Sequence, residues 1–308
     1  MIGGERLWLT ENNPFRRKDE GDRSTLEQSG DRRMFGWKRK IALFALAAAL
    51  AAAVAAPASA GVGDLLVAPT RIILNGGRGT EIILKNVGDA TATYRVSAEF
   101  RRMTAEGNLV DVTDPTSAEK AAADMIVYTP RRVTLAPHEP QSIRIAARPP
   151  QGLPDGEYRI HLLFRAIPPS KPVTANDGGS AQGLQLQLIP VYGVTIPVIV
   201  RLGSLEVKAG ISDVRLEKSD GKPAIGLNLS RAGSRSTFGQ VVVLKPGVKD
   251  PIAMLKSVAV YTELDARHVT VPVDDNYKGE LSGPVTVEYV EIYRDGTQKI
   301  AETQAVLR

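Results

Sequence analysis

Three histidines, His138, His161 and His268, are the side chains of this 308-residue chain that could most readily bind a metal or exchange protons. They lie far apart in the sequence, and none has a second histidine two or four residues away. The chain has no cysteine, which excludes thiolate chemistry and Cys–His zinc sites. Nucleophile-elbow, phosphate-loop and dinucleotide-binding motifs are also absent. The sequence therefore predicts a protein that is not an enzyme and that carries no metal and no cofactor.

Charged residues at unusual positions in strand-like runs are the remaining candidates for a site. Arg71 precedes the apolar run IIL, Arg144 lies within SIRIA, and Glu157 opens a strong strand pattern. Arginine and glutamate are rarely buried unless they are paired. Two interpretations stay open: all three face solvent, or Arg144 and Glu157 form an internal pair while Arg71 points into a cleft between domains.

An alternating apolar row follows a tract rich in Pro, Gly and Ser at 168–183. The row lies within LQLQLIPVYGVTIPVIVR (184–201), and a period of two gives a strand one apolar face. Either the protein's own core or a partner must cover that face. Its apolar positions are Leu184, Leu186, Leu188, Val191 and Val194.

Short β-rich runs separated by turn residues are the elements that must position these side chains. They predict an all-β chain of two antiparallel sandwiches, joined near 201–204, with a single short helix at 116–125 and a hairpin at RDGT (294–297). The runs of the first half are VAPTRIIL (67–74), EIILK (81–85), ATYRVSAEF (92–100), SIRIA (142–146) and EYRIHLLFRAI (157–167).

The N-terminal 60 residues have the pattern of an export leader. Residues 34–60 contain a basic segment, an apolar stretch too short for a bilayer span, and the small-residue site Ala58-Ser59-Ala60. Residues 1–33 are polar and precede Met34, which is itself a plausible start. We expect cleavage after Ala60, export to the periplasm, and two domains at 61–202 and 203–308.

The composition after Ala60 argues against two other classes of protein. These residues carry 29 Lys/Arg and 27 Asp/Glu, a net charge of +2, with no concentrated basic run. A nucleic-acid partner is therefore not expected. They also contain no tryptophan and three phenylalanines, which equips a carbohydrate-binding cleft poorly.

Several motifs of the first half together resemble the PapD-like family of periplasmic pilus chaperones. They are PTRIIL (69–74), EIILKNVG (81–88), YTPRRVTLAPHEPQSIRI (128–145) and LPDGEYRIHLLFRAIPP (153–169). The second half is similar to the divergent, non-enterobacterial members. The resemblance implies two immunoglobulin-like sandwiches at a fixed angle. It also implies a chaperone that binds pilus (fimbrial) subunits by donor-strand complementation and hands them to an outer-membrane usher without a small-molecule cofactor.

The resemblance also implies roles for individual residues. Arg71 would hold the C-terminal carboxylate of the subunit, and the row from Leu184 to Val194 would be the donor strand. The family's second cation, a lysine, has no counterpart, because the matching position is Pro197. Structural charges between the domains would be Arg144, Glu157 and Asp295.

A structural or adhesive component of a surface fibre is the alternative. Such a chain needs an N-terminal extension of alternating apolar residues after cleavage. The four residues 61–64 are too short for this, which favours the chaperone.

Overall fold

The computed structural model describes residues 64–168, 191–293 and 296–308, which form one helix and eighteen strands. The helix is α1 (Ser117–Met125). The strands are β1 (Leu65–Ala68), β2 (Ile72–Asn75), β3 (Thr80–Asn86), β4 (Ala92–Glu99), β5 (Arg101–Met103), β6 (Leu109–Asp111), β7 (Ile126–Thr129), β8 (Arg132–Leu135), β9 (Pro140–Ala147), β10 (Gly156–Ile167), β11 (Gly193–Leu202), β12 (Val207–Ser219), β13 (Lys222–Gly233), β14 (Thr237–Leu244), β15 (Ala253–Val260), β16 (Ala266–Pro272), β17 (Gly283–Tyr293) and β18 (Gly296–Leu307).

Two sheets pack face to face in the first sandwich. One has the order β1-β3-β9-β7 and the other the order β2-β11-β10-β4-β8. Burial alternates along their strands: in β4, Tyr94 and Val96 are buried whereas Arg95 between them is exposed. This period of two, visible in the sequence, places one face of each sheet on a shared core. The largest fully buried side chains of that core include Tyr94, Phe164, Ile82, Leu84, Ile143 and Leu162.

The first β-run of the sequence is divided between the two sheets. The run at 67–74 is predicted as one strand, but β1 pairs with β3 and β2 pairs with β11. Pro69 and Thr70 separate them, and proline cannot donate to a strand ladder. As a result the chain crosses from one sheet to the other immediately before Arg71.

The second sandwich is formed by the sheets β12-β13-β16 and β15-β14-β17-β18. Its core is separate and consists mainly of aliphatic side chains around Tyr289. The predicted hairpin is confirmed, since β17 and β18 are antiparallel and pair up to Tyr293 and Gly296. Residues 294 and 295 of its turn, including Asp295, lie outside the described residues.

Helix α1 begins with a reciprocal capping box. Thr116 accepts a hydrogen bond from the Glu119 amide at 3.2 Å, and the Glu119 side chain accepts one from the Thr116 amide at 2.7 Å. Arg102 and the Thr116 hydrogen bonds lower the pKa of Glu119 to about 2. The short helix predicted at 116–125 is confirmed, and it covers the core with Ala122 and Met125.

The all-β, two-sandwich fold class is thus confirmed. The proposed domain boundary after residue 202 lies between β11 and β12. A third, smaller apolar cluster joins the sandwiches: Met103 and Ile199 of the first contact Ala259 and Tyr261 of the second. No helix among the described residues is long and apolar enough to span a bilayer.

Candidate functional site: the open edge of β11 and the Tyr261 cleft

Strand β11 is paired on both sides along less than half of its length. Its whole length pairs with β10, from Gly193 to Leu202. The parallel strand β2 pairs only with residues 198–201. Among the described residues, therefore, residues 193–197 have no neighbour on the β2 side, and this stretch is called the open edge below.

The hydrogen-bond pattern shows which residues face that side. The Ala166 amide of β10 donates to the Tyr192 carbonyl at 3.1 Å, and the Gly76 amide donates to the Arg201 carbonyl at 3.3 Å. Bonding direction alternates along a strand in an antiparallel pair. The backbone groups of Gly193 and Thr195 thus point away from β10, towards the open edge.

Pro197 occupies the position at which the resemblance implies a lysine. It lies opposite His161 of β10 and directly before the first residue that pairs with β2. Its carbonyl faces the open edge, but proline has no amide hydrogen, so no unsatisfied donor is left there. Among the described residues of β11, the basic side chain is Arg201 at the opposite end.

The predicted donor residues fall in different environments. Val191 lies just before β11 and its side chain is 39% exposed. Val194 is partly buried and packs against the core of the first sandwich. Leu184, Leu186 and Leu188 lie outside the described residues. Their role as a donor strand stays a prediction.

Arg71 lies where the two sandwiches meet, a region called the Tyr261 cleft below, and contacts three residues of the second sandwich. Its Nη1 donates to the Tyr261 hydroxyl at 3.3 Å and its Nη2 to the Ser236 Oγ at 3.2 Å. The guanidinium carbon is 4.7 Å from the centre of the Phe238 ring. Burial lowers the pKa of Arg71, and Tyr261 and Glu157 act in the opposite direction.

The charge of Arg71 is not neutralised by a direct ion pair. No carboxylate among the described residues lies within salt-bridge distance of it, and its Nε is buried without a hydrogen-bond partner. A desolvated cation with spare donors is a favourable partner for a carboxylate. Arg71 therefore faces the second sandwich, and its role as the carboxylate anchor stays a prediction.

Tyr261 is the centre of this cleft. The guanidinium carbon of Arg159 lies 3.7 Å from its ring centre, and His161 meets the ring edge-on at 6.3 Å. Arg159 in turn donates to Glu263 at 2.6 and 3.1 Å. Burial and, next, the Arg159 charge lower the pKa of His161 to about 3, so the imidazole is neutral at ordinary pH.

Glu157 connects the two sandwiches. One of its oxygens accepts from Arg201 Nε and from the Ser236 backbone amide, both at 3.0 Å. Arg201 also donates to the Ser236 carbonyl at 3.1 Å. The Glu157 side chain is only 1% exposed. Glu157 of β10 thereby holds Ser236 of the second sandwich, the residue whose hydroxyl also accepts from Arg71.

The predicted pair of Arg144 with Glu157 is wrong. Arg144 lies on the outer face of β9, is 80% exposed and contacts Glu81 of β3 at 3.3 Å. Ile143 and Ile145 on either side of it fill the core, so the alternation of the strand turns Arg144 outward. The partner of Glu157 is Arg201, which lies directly opposite it in the β10–β11 register.

Arg231 fixes the loops that carry these residues. Its guanidinium donates to the carbonyls of Leu264 and Thr262 at 3.1 Å and of Gly233 at 2.7 Å. Gly233 lies three residues before Ser236, and Thr262 and Leu264 are the chain neighbours of Glu263. Sequence reasoning missed Ser236, Phe238 and Tyr261, because no motif relates them to Arg71.

Comparison with known proteins places the chain among distant structural neighbours. No family model matches the sequence, and no curated protein matches it. The CupB2 chaperone of Pseudomonas aeruginosa is 13% identical with a TM-score of 0.42, covering 79% of this chain and 100% of its own. The SafB chaperone in complex with the SafA pilin of Salmonella enterica is 16% identical with a TM-score of 0.40. The match covers 80% of this chain and 98% of the other.

A third neighbour is the CsuC–CsuE chaperone–tip adhesion subunit complex of the Csu pili of Acinetobacter baumannii. It is 12% identical with a TM-score of 0.40, and the match covers 80% of this chain and 98% of the other. Such distant similarity leaves the function to be inferred from the geometry of the site.

Proposed function

We propose that this protein is a periplasmic chaperone that binds pilus subunits by lending them a β-strand and then delivers them to an outer-membrane usher. The observation that carries the proposal is the open edge of β11. Within the part of the chain that the structure describes, its backbone groups at Gly193 and Thr195 have no paired strand, and in the sequence it follows the segment with Leu184, Leu186 and Leu188.

An open edge suits a client whose own sheet lacks a strand. Such a client exposes a groove with apolar side chains and unpaired backbone groups, which would otherwise aggregate. Strand addition satisfies the backbone of both proteins, and alternate side chains fill the groove. Each leucine that enters the groove stabilises the complex by about 1.5–3 kcal/mol.

Arg71 is proposed to hold the C-terminal carboxylate of the client. Its guanidinium lies in the cleft, has no ion-pair partner among the described residues, and is held from behind by Tyr261 and Ser236. The resemblance implies that an arginine and a lysine hold the carboxylate together, and position 197 is a proline here. A bidentate contact from Arg71 would therefore hold the carboxylate without the lysine. The Tyr261 hydroxyl lies close enough to Arg71 to contribute a second donor.

Export and delivery complete the proposal. The leader pattern of residues 34–60 supports transport out of the cytoplasm. Binding and release would then be driven by exchange of strands alone, with neither ATP nor a metal.

The test is co-production with any small secreted β-rich chain that a neighbouring gene proves to encode, followed by co-purification from the periplasm. Thr195→Pro removes the amide that points to the open edge while the β10 pairing, made by its neighbours, is kept. We expect it to weaken client binding at least tenfold, the loss of about 1.4 kcal/mol. Thr195→Ala is the matched control, because it retains the amide.

Arg71→Gln tests the anchor in the same assay, with the exposed Arg144→Gln as its control. We expect loss of the client from the Arg71 variant only. Equal recovery of a client with Thr195→Pro and Thr195→Ala would remove the open edge from the binding surface and, with it, the chaperone assignment.

A further inference from the structure

Three arginines form a row across the outer face of the first sandwich. Arg165 of β10 lies directly opposite Arg95 of β4, and Arg95 lies directly opposite Arg132 of β8. All three are exposed. Adjacent strands are about 4.8 Å apart, so the backbone positions of the three arginines lie on a line about 10 Å long.

This arrangement costs stability when nothing neutralises it. Like charges directly opposite each other in a sheet repel. Among the described residues, none of the three arginines makes an ion pair or a side-chain hydrogen bond. The adjoining described positions on this face also contain no carboxylate; they include Gly193, which lies opposite Arg165, and Leu163, Ile167, Thr93, Ser97, Thr134 and Thr195.

Several other arginines of the protein have a carboxylate neighbour. Arg144 contacts Glu81, Arg101 contacts Glu99, and Arg102 contacts Glu119. The row is thus a local concentration of positive charge in a protein whose charges are otherwise nearly balanced. A repulsive row without an internal counter-charge is compensated most simply by a negatively charged ligand.

We propose that the arginine row (Arg95, Arg132 and Arg165) is a docking surface for an acidic polypeptide segment of a partner protein. The planar guanidinium binds carboxylates bidentately, and arginine is enriched in protein interfaces. Partly buried Leu163 and Ile167 flank the row and supply apolar contact for a polypeptide. An anionic membrane is the poorer match, because its recognition takes clusters of about four to eight basic residues.

The direct test uses the full protein and a short synthetic peptide with glutamate at every second position, followed by fluorescence anisotropy at low ionic strength. The same peptide with glutamine in place of glutamate is the ligand control. We expect Arg95→Ser to weaken binding of the glutamate peptide about tenfold. Arg144→Ser, on the opposite sheet, is the protein control and should bind as the wild type does.

A stability measurement keeps the result interpretable. Since Arg95 is the centre of the repulsive row, Arg95→Ser should leave the melting temperature unchanged or raise it, so lost binding cannot be ascribed to unfolding. Equal binding by wild type and Arg95→Ser, or equal binding of both peptides, would overturn the proposal. Stronger row-dependent binding to phosphatidylglycerol vesicles than to the peptide would assign the surface to lipid instead. Arg165 lies opposite Gly193 of the open edge, but Arg95→Ser leaves the backbone of β11 unchanged. The result can therefore be distinguished from that of Thr195→Pro.

Discussion

Buried polar atoms without hydrogen-bond partners are concentrated around one tyrosine. They include Arg71 Nε, Glu157 Oε1, Arg159 Nε and both ring nitrogens of His161. A folded protein normally satisfies such atoms, and exceptions mark functional or strained positions. At the scale of single residues, the Tyr261 cleft therefore departs most clearly from ordinary core packing.

His161 should make the stability of the protein depend on pH. Its pKa is about 3 when folded, against a usual value near 6.5, because burial and neighbouring guanidinium groups disfavour the charged imidazole. Below pH 6.5 the unfolded chain binds a proton that the folded protein does not. This contribution to stability is thus complete above pH 6.5 and is lost as the pH falls towards 3.

Replacement of His161 by phenylalanine tests this origin. Between pH 7 and 4.5 the wild type should lose about 2–3 kcal/mol more unfolding free energy than His161→Phe. The figure follows because binding of one proton by the unfolded chain alone costs about 1.4 kcal/mol for each pH unit below the unfolded pKa. Urea unfolding at both pH values measures the difference. Parallel losses in the two proteins would show that another group is responsible.

At the scale of elements, strand β11 combines two environments. Residues 198–201 lie between β10 and β2 and contribute Val198 and Val200 to the core. Residues 193–197 pair with β10 alone in the ranges that the structure describes, and Thr195 presents its backbone to the other side. Residues 198–201 thus hold β11 in the sheet, while the preceding residues 193–197 are available for pairing with a further strand.

The leucine row makes a prediction about this element. Serine at Leu184, Leu186 and Leu188 should reduce client affinity at least a hundredfold, because three apolar side chains no longer enter the groove. The melting temperature of the free protein should not change. Serine at Gln185 and Gln187 is the matched control and should leave both quantities unaltered. A lowered melting temperature of the leucine variant would instead identify 184–188 as part of the protein's own core.

At the scale of the whole molecule, polar contacts and a small apolar cluster join the two sandwiches. Glu157 binds the Ser236 amide, while Glu263 of the second sandwich accepts from Arg159 and from the Met103 amide of the first. Ile199 and Tyr261 pack between these contacts. The angle between the sandwiches is thus held by side chains, and the cleft of Arg71 depends on them.

Glu157→Gln should destabilise the whole molecule. Glutamine keeps the shape but leaves Arg201 without its counter-charge, and breaking a buried pair costs about 3–5 kcal/mol. Urea unfolding followed by tyrosine fluorescence measures the loss. Glu81→Gln, which breaks the exposed pair with Arg144, should cost less than about 1 kcal/mol. A similar small effect for both variants would show that Glu157 does not stabilise the contact between sandwiches.

Local patterns in the sequence determined the class of the fold. The period of two in β4 and β9, the turn residues between runs, and the capping residues Thr116 and Glu119 are properties of neighbouring residues, so they are readable without a structure. They predicted two sandwiches, one helix and a hairpin. For Arg71 they left two interpretations open, a position facing solvent and a position facing the second domain.

Only the tertiary structure decided which charges meet. Arg144 and Arg201 each contact a glutamate, but only Arg201 contacts Glu157. That choice depends on the register of β10 and β11, which places Glu157 opposite a residue 44 positions away. The neighbours of Arg71 depend on the docking of a second sandwich, with Tyr261 190 positions away. Alternation along a strand is local, whereas register and docking arise from the packing of the whole chain, which no short stretch of sequence encodes.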